Sequence, residues 1–178
     1  MGDSFDQGKF QELIVYIAKR LPPEAALGRV KLAKLLMLCD YTAYIRLRRS
    51  ITGATYEKWE HGHLPSELML TEKDLQGAAL DIEIVDYFGK QLKHITALRD
   101  PNMANFSEDE LAIIEGVLRF YGHESASYLR QLSHEELGWR LAGEREPIPY
   151  NTIFLSKTGP MESDIRRGEE LASLHGWN

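Results

Sequence analysis

Cysteine is nearly absent from this sequence, because Cys39 is the single cysteine among 178 residues. One cysteine cannot form a disulfide within the chain or a Cys-x-x-Cys motif, so a disulfide scaffold and a dithiol redox centre are both excluded. Cys39 lies within an apolar helical pattern. This position predicts a buried, unreactive thiol that packs as a small hydrophobic residue.

Long apolar runs are also missing. No stretch approaches the roughly 20 consecutive apolar residues that a membrane-spanning helix needs. Residues 1–6 are polar and acidic and lack the apolar core of a signal peptide. From these two features we expect a cytoplasmic protein without a membrane partner.

The sequence has no excess of positive charge, with 21 lysines and arginines against 27 aspartates and glutamates and a net charge of -6. Nucleic-acid binding usually rests on a basic surface, so no direct nucleic-acid partner is expected, and the acidity favours a basic partner instead. With 43% hydrophobic and 27% charged residues, the chain is predicted to form a single globular domain over residues 1–178.

Recognisable catalytic motifs are absent as well. The sequence contains no glycine-rich phosphate loop, no His-Glu-x-x-His motif and no Gly-x-Ser-x-Gly motif, so no catalytic residue, metal ligand or cofactor is predicted. One alternative stays open, because His61 and His63 have the i, i+2 spacing that places two imidazoles on one face of a strand. A metal-dependent hydrolase would need a carboxylate to complete that site. The nearest candidates are Glu57, Glu60 and Glu67.

The strongest pattern that is present is a helix beginning near Gly28. Apolar residues recur along it in two adjoining helical stripes and leave only a narrow polar ribbon, which predicts a central helix covered by neighbours on most sides. The first stripe contains Val30, Ala33, Met37, Tyr41 and Tyr44, the second Leu32, Leu36, Cys39, Ala43 and Leu47, and the ribbon Lys31, Lys34, Thr42 and Arg49.

Periodicity and capping patterns predict further helices, and β-branched alternation predicts a hairpin. A lone hairpin is marginally stable in water, so it needs a third strand or a helix beneath it, and segment 55–59 is expected to be that third strand. The predicted fold class is mainly α (α+β), a helical single domain around a central buried helix, with a small antiparallel sheet of two to three strands. The predicted elements are helices at 6–20 and 66–76, strands at 81–88 and 91–98 joined by a type II′ turn at Gly89-Lys90, helices capped by Ser107, Ser125 and Ser133 (the first and last as capping boxes), and a polar terminal helix within 156–178.

Two blocks of the sequence carry a recognisable pattern. The first block comprises Lys-Leu-Ala-Lys-Leu-Leu at 31–36, Ile-Thr-Gly-Ala-Thr-Tyr at 51–56 and Gly62 with Pro65, and the second comprises 132–140 and Glu-Pro-Ile-Pro-Tyr at 146–150. Together they resemble the SocA/Panacea-domain antitoxins of bacterial and phage toxin–antitoxin systems, over roughly residues 10–155. The family usually has a Tyr-Gly-Pro-Val-Pro bend, and here His61, His63 and Leu64 replace three of its five residues.

The resemblance implies an antitoxin, which binds a cognate protein toxin and neutralises it by direct contact or delivers it to a protease as an adaptor. We expect an acidic, aromatic-anchored surface at the strand–bend segment, because large aromatic side chains are the usual energetic centres of protein interfaces. His134, in contrast, is predicted to be structural, either packing on Trp139 or bonding a neighbouring loop. The residues predicted to bind the partner are Tyr56, Trp59, His61 and His63.

Overall fold

The computed structural model describes residues 4–155, so the predicted terminal helix within 156–178 lies outside the described residues. The described residues form six α-helices and two separate antiparallel hairpins, which confirms the mainly α fold class. None of the helices in this part of the chain combines the length and apolar character that crossing a bilayer requires. In chain order the elements are α1 (Gln7–Arg20), α2 (Arg29–Leu47), β1 (Tyr56–Trp59), β2 (Gly62–Pro65), α3 (Leu68–Leu75), β3 (Leu80–Tyr87), β4 (Lys90–Ala97), α4 (Glu108–Tyr121), α5 (Ala126–Glu135) and α6 (Leu137–Leu141).

Helix α1 begins and ends where its sequence predicts. The Asp6 carboxylate accepts a hydrogen bond of 2.9 Å from the Lys9 amide and caps the first turn. Pro22 and Pro23 follow the last turn directly, so the helix cannot continue. The apolar face of α1 is buried against the rest of the core.

Helix α2 is the centre of the fold. Eleven of its 19 residues are buried, Cys39 among them, so neighbours cover the helix on most sides as predicted. The predicted polar ribbon is wrong at Lys31 and Lys34, which are each only 2% exposed. Their long aliphatic stems lie in the core, and their amines donate to the backbone carbonyls of Ala25 and His63 respectively.

The expectation that segment 55–59 adds a third strand to the later hairpin is wrong. Strand β1 instead pairs with β2, with Trp59 opposite Gly62, so part of the predicted bend is a strand. The other edge of β1 is covered by the chain that follows α6, where the Ile148 amide donates to the Tyr56 carbonyl at 2.7 Å. With both edges occupied locally, β1 has no free edge to offer the second hairpin.

The predicted hairpin of β3 and β4 is confirmed, but its turn lies one residue earlier than expected. Tyr87 pairs with Lys90, so the two turn residues are Phe88 and Gly89. Both have positive φ, +52° and +75°. Two successive positive φ values are typical of a type I′ turn, whereas the sequence predicted type II′ with glycine first. Strand β4 lies against α1, and β3 lies on its far side.

One of the two predicted capping boxes is confirmed. At the start of α4, Ser107 and Glu110 each accept the other's backbone amide. The second box is wrong, because Ser133 lies inside α5, fully buried, and donates its hydroxyl to the Arg130 carbonyl at 2.8 Å. Helix α5 begins earlier, at the predicted cap Ser125. Ser133 is accommodated within the helix because its hydroxyl bonds to a carbonyl of the preceding turn.

Candidate functional site

The four residues predicted to bind a partner lie in the β1–β2 hairpin, but only two of them reach the surface. Trp59 is half-buried at the end of β1, and His61 is exposed in the turn. Tyr56 is 1% exposed and His63 is fully buried. The expectation that all four belong to one surface is therefore corrected. Side chains alternate along a strand, and Tyr56 and His63 are the ones directed towards α2.

The carboxylate of Asp40, on α2, organises the segment that leads into the hairpin. It accepts hydrogen bonds from the amides of Ile51 and Thr52 at 2.9 and 2.8 Å, from the Thr52 hydroxyl at 2.6 Å and from the Tyr56 hydroxyl at 2.8 Å. Burial raises the pKa of Asp40, and the hydrogen bonds from Thr52 oppose that shift. Sequence reasoning overlooked this residue, although a single acid within an apolar helix is itself a signal of a buried polar anchor.

A cluster of four aromatic rings explains why Tyr56 and His63 are buried. The ring of Tyr41, on α2, meets those of Tyr56 and His63 edge-on at 5.6 and 5.5 Å between centroids. Tyr150 completes the cluster, and its hydroxyl donates to the Ala54 carbonyl at 2.7 Å. These contacts attach the hairpin to the central helix.

Beneath the hairpin, His63 and Lys34 bring two basic side chains into the interior. Burial, with the nearby charge of Arg130, lowers the pKa of Lys34 to about 7. Burial, followed by the charges of Lys34 and His134, lowers the pKa of His63 to about 3. Neither ring nitrogen of His63 has a hydrogen-bond partner among the described residues. His63 is thus a neutral core side chain at neutral pH.

The two histidines do not form the paired site that the metal-dependent alternative requires. Strand β2 begins at Gly62, so His61 lies in the solvent-exposed turn while His63 lies in the core. Lys34 next to His63 also disfavours a cation there. Across residues 4–155, no group of three or more His, Cys, Asp or Glu side chains is placed to hold a metal ion.

The outer face of the hairpin carries Trp59. The Arg145 guanidinium lies over its indole ring at 4.8 Å from the centroid, and the indole N–H donates to the Glu57 carboxylate at 3.0 Å. A cation and an anion therefore both lie against this indole, at the position where the sequence predicted an acidic surface.

Next to Trp59 lies a second indole, that of Trp139 on α6. Its N–H donates to the Trp59 carbonyl at 3.3 Å, and the ring of His134 stacks on it at 4.0 Å with an interplanar angle of 13°. Of the two structural roles predicted for His134, packing on Trp139 is confirmed. The Lys58 amine lies 4.6 Å from the centroid of the same indole. We call the group Trp59, His61, Trp139 and Arg145 the indole surface.

Three of these four residues, Trp59, His61 and Trp139, lie in a part of the chain that matches a known family. The profile of the family described as antitoxin SocA-like, Panacea domain matches residues 32–140. The chain belongs to this family. The match begins in α2 and ends in α6, so it contains both hairpins and is shorter than the resemblance expected over 10–155. No curated protein and no solved structure matches the chain.

Proposed function

We propose that this protein is an antitoxin that neutralises a cognate protein toxin by direct contact in the cytoplasm. The observation that carries the proposal is the family match, which extends from the central helix through both hairpins to α6. Membership of an antitoxin family supports binding to another protein as the activity of this chain.

We place the toxin contact at the indole surface. Trp59 and Trp139 are half-buried and touch each other, while His61 and Arg145 are exposed around them. Aromatic and arginine side chains on a rigid support lose little conformational entropy on binding and dominate the affinity of many interfaces. Tyr56 and His63, the other two predicted residues, support this surface from within by attaching the hairpin to α2.

The charges of the chain suit this role in two different ways. At long range, the net charge of -6 favours approach of a basic toxin and raises its association rate. At the indole surface itself, the cations Lys58 and Arg145 lie among the anions Glu57 and Glu60. A toxin that binds there must therefore present complementary charges of both signs.

Co-expression tests this proposal. The probe is the product of the reading frame next to the gene for this chain, which we call the candidate toxin. It should arrest growth when expressed alone, and growth should recover when this protein is expressed with it. Recovery in a host that lacks its energy-dependent cytoplasmic proteases supports direct neutralisation, whereas recovery only when those proteases are present supports the adaptor mode. Continued arrest in both hosts contradicts the antitoxin proposal.

A further inference from the structure

The second hairpin presents a strand edge that no described element covers. On one side of the hairpin, the Ile95 amide of β4 donates to the Leu27 carbonyl at 2.8 Å, so β4 is attached to the body. On the other side, the Leu80 carbonyl accepts from the Gly77 amide at 2.8 Å, which covers only the start of β3. From residue 82 to residue 87, the structure shows no backbone hydrogen bond to any described element except β4.

The alternating hydrogen bonds of the hairpin show which backbone groups of β3 face away from β4. In antiparallel strands, alternate residues bond to the neighbouring strand and the others point away from it. Tyr87 and Lys90 close the two-residue turn, so alternate residues counted back from Tyr87 bond to β4. The amides and carbonyls of Ile82, Ile84 and Asp86 therefore point outward. The Leu80 carbonyl, which accepts from the Gly77 amide and not from β4, follows the same alternation.

Apart from its charged side chains, this edge lacks the features that usually protect an exposed strand. Strand β3 contains no proline, no glycine and no lysine, and its ladder with β4 has no bulge. Exposed apolar side chains accompany the free backbone groups: Ile84 is 65% exposed, Tyr87 45% and Phe88 90%. Phe88 also has a φ of +52°, which is uncommon for a residue other than glycine.

The charge of β3 indicates what could pair with it. The strand carries three carboxylates, Asp81, Glu83 and Asp86, and no cation. None of the three forms an ion pair with a described side chain. Pairing with β3 of a second copy would gather six carboxylates on adjacent strands, which like-charge repulsion opposes. A strand that carries lysines or arginines gains cross-strand ion pairs instead.

We propose that the outer edge of β3 binds an extended, basic segment of the toxin, which adds a third strand to this sheet. Backbone hydrogen bonds to Ile82, Ile84 and Asp86 would supply the pairing, and the carboxylates would select a basic sequence. This proposal rests on the proposed function only for the identity of the partner. It assigns the toxin a second contact, separate from the indole surface.

Replacement of Ile84 by proline tests the backbone pairing directly. Proline removes an outward-facing N–H while leaving every hydrogen bond to β4 in place, so the hairpin should still form. The matched control is Ile84→Thr, which shortens the apolar side chain but keeps the N–H and the preference for strands. We expect Ile84→Pro to weaken binding of the candidate toxin at least about tenfold and Ile84→Thr at most about threefold.

Reversal of one charge tests whether β3 selects a basic partner segment. Glu83→Lys should weaken binding about tenfold at low salt, and the loss should shrink as salt rises, because the attraction is electrostatic. Glu24→Lys makes the same change of net charge at an exposed site outside the second hairpin and should alter binding by less than about twofold. Circular dichroism and thermal unfolding of all four variants establish that they fold.

The outcomes separate this inference from the function on which it rests. Selective loss of binding in Ile84→Pro and Glu83→Lys, with both controls near wild type, supports the strand pairing. Binding by all folded variants at wild-type strength overturns the strand pairing but leaves the antitoxin function in place. Sedimentation of the wild-type chain as a dimer that Ile84→Pro dissociates assigns the edge to a second copy and also overturns it. A wild-type chain that neither binds nor neutralises the candidate toxin overturns both proposals.

Discussion

The hydroxyl of Tyr56 donates a hydrogen bond of 2.8 Å to the carboxylate of Asp40, and both residues are buried. This contact joins the first hairpin to the central helix. Because the same carboxylate also accepts three hydrogen bonds from Ile51 and Thr52, one acid fixes the whole approach to β1. The Ile-Thr-Gly-Ala-Thr-Tyr sequence that resembles the family thus has a structural role: it surrounds Asp40.

We predict that removal of either partner lowers the free energy of unfolding by different amounts. Tyr56→Phe removes one hydrogen bond to a charged group and should cost about 2 kcal/mol. Asp40→Ala leaves four buried donors without an acceptor and should cost about 4 kcal/mol. Urea denaturation of both single variants and the double variant measures the coupling. If the two losses are simply additive, the two side chains do not act together in the folded protein.

Gly62, in the first hairpin, cannot be replaced by a residue with a side chain unless its neighbours rearrange. Its φ is +92°, and a Cβ there would lie 2.1 Å from the Ser133 hydroxyl oxygen and 2.8 Å from Cε of Lys34. We predict that Gly62→Ala lowers the free energy of unfolding by about 3 kcal/mol, from backbone strain and overpacking together.

The matched control for that substitution is Gly77→Ala. Gly77 has a similar φ of +77°, but no atom lies within 4 Å of its Cβ position. Backbone strain alone should therefore cost about 1 kcal/mol there. Thermal or urea unfolding compares the two variants, and equal losses would show that the close packing of α2, β2 and α5 around Gly62 is absent in solution.

The buried amine of Lys34 should make stability depend on pH. Its pKa is about 7 in the folded protein and 10.5 as an unperturbed side chain, so the unfolded chain holds this proton more tightly. The free energy of unfolding should therefore rise with pH, by about 2 kcal/mol between pH 7 and pH 9 from this group. Lys34→Met should remove that part of the rise.

Lys31, whose pKa burial also lowers, stays in the Lys34→Met variant and leaves a smaller rise of the same sign. Between pH 7 and pH 9, the difference between wild type and variant reports mainly Lys34, because His63, whose pKa the charge of Lys34 lowers, is already neutral there. Urea denaturation at a series of pH values measures it. Parallel curves for the two proteins would mean that Lys34 keeps its ordinary pKa in the folded state.

Trp59 should contribute a large share of toxin affinity if the indole surface is the contact. We predict that Trp59→Ala weakens binding of the candidate toxin at least about tenfold while the protein stays folded. The control is Phe120→Ala on α4, an aromatic residue that is 64% exposed and also lies next to an arginine, Arg119, in a cation–π contact. Its loss should change affinity less than about twofold. Calorimetric titration of both variants decides between a specific contact and a general effect of exposed aromatic residues.

The helices of this protein can largely be predicted from sequence, because their signals are local. The double apolar stripe of α2 and the capping box at Ser107 each lie within a short stretch of sequence. Such local patterns favour a helix over a strand or a loop. The capping signal at Ser133 failed for a reason outside that window. Helix α5 had already begun at Ser125, and packing of α5 against α2 and β2 continues it through the second serine.

Strand pairing and burial were harder to predict, since both depend on distant parts of the chain. Nothing near Tyr56 in sequence shows that the chain around Ile148 covers the edge of β1 and leaves no position for a third strand. Alternation along β1 places Tyr56 and Trp59 on opposite faces of the strand, but it cannot show which face is the inner one. The position of Asp40 beneath the hairpin identifies the inner face, and it is known only from the structure.

Inhibition of the toxin in a purified system tests the central claim most directly. The candidate toxin, assayed for whatever activity arrests growth, is titrated with this protein in the absence of any protease. The account predicts that activity falls in proportion to added protein and reaches zero near one equivalent, and that Trp59→Ala shifts the titration to higher concentration. Toxin that forms a complex with the wild-type protein yet keeps its full activity would contradict neutralisation by direct contact.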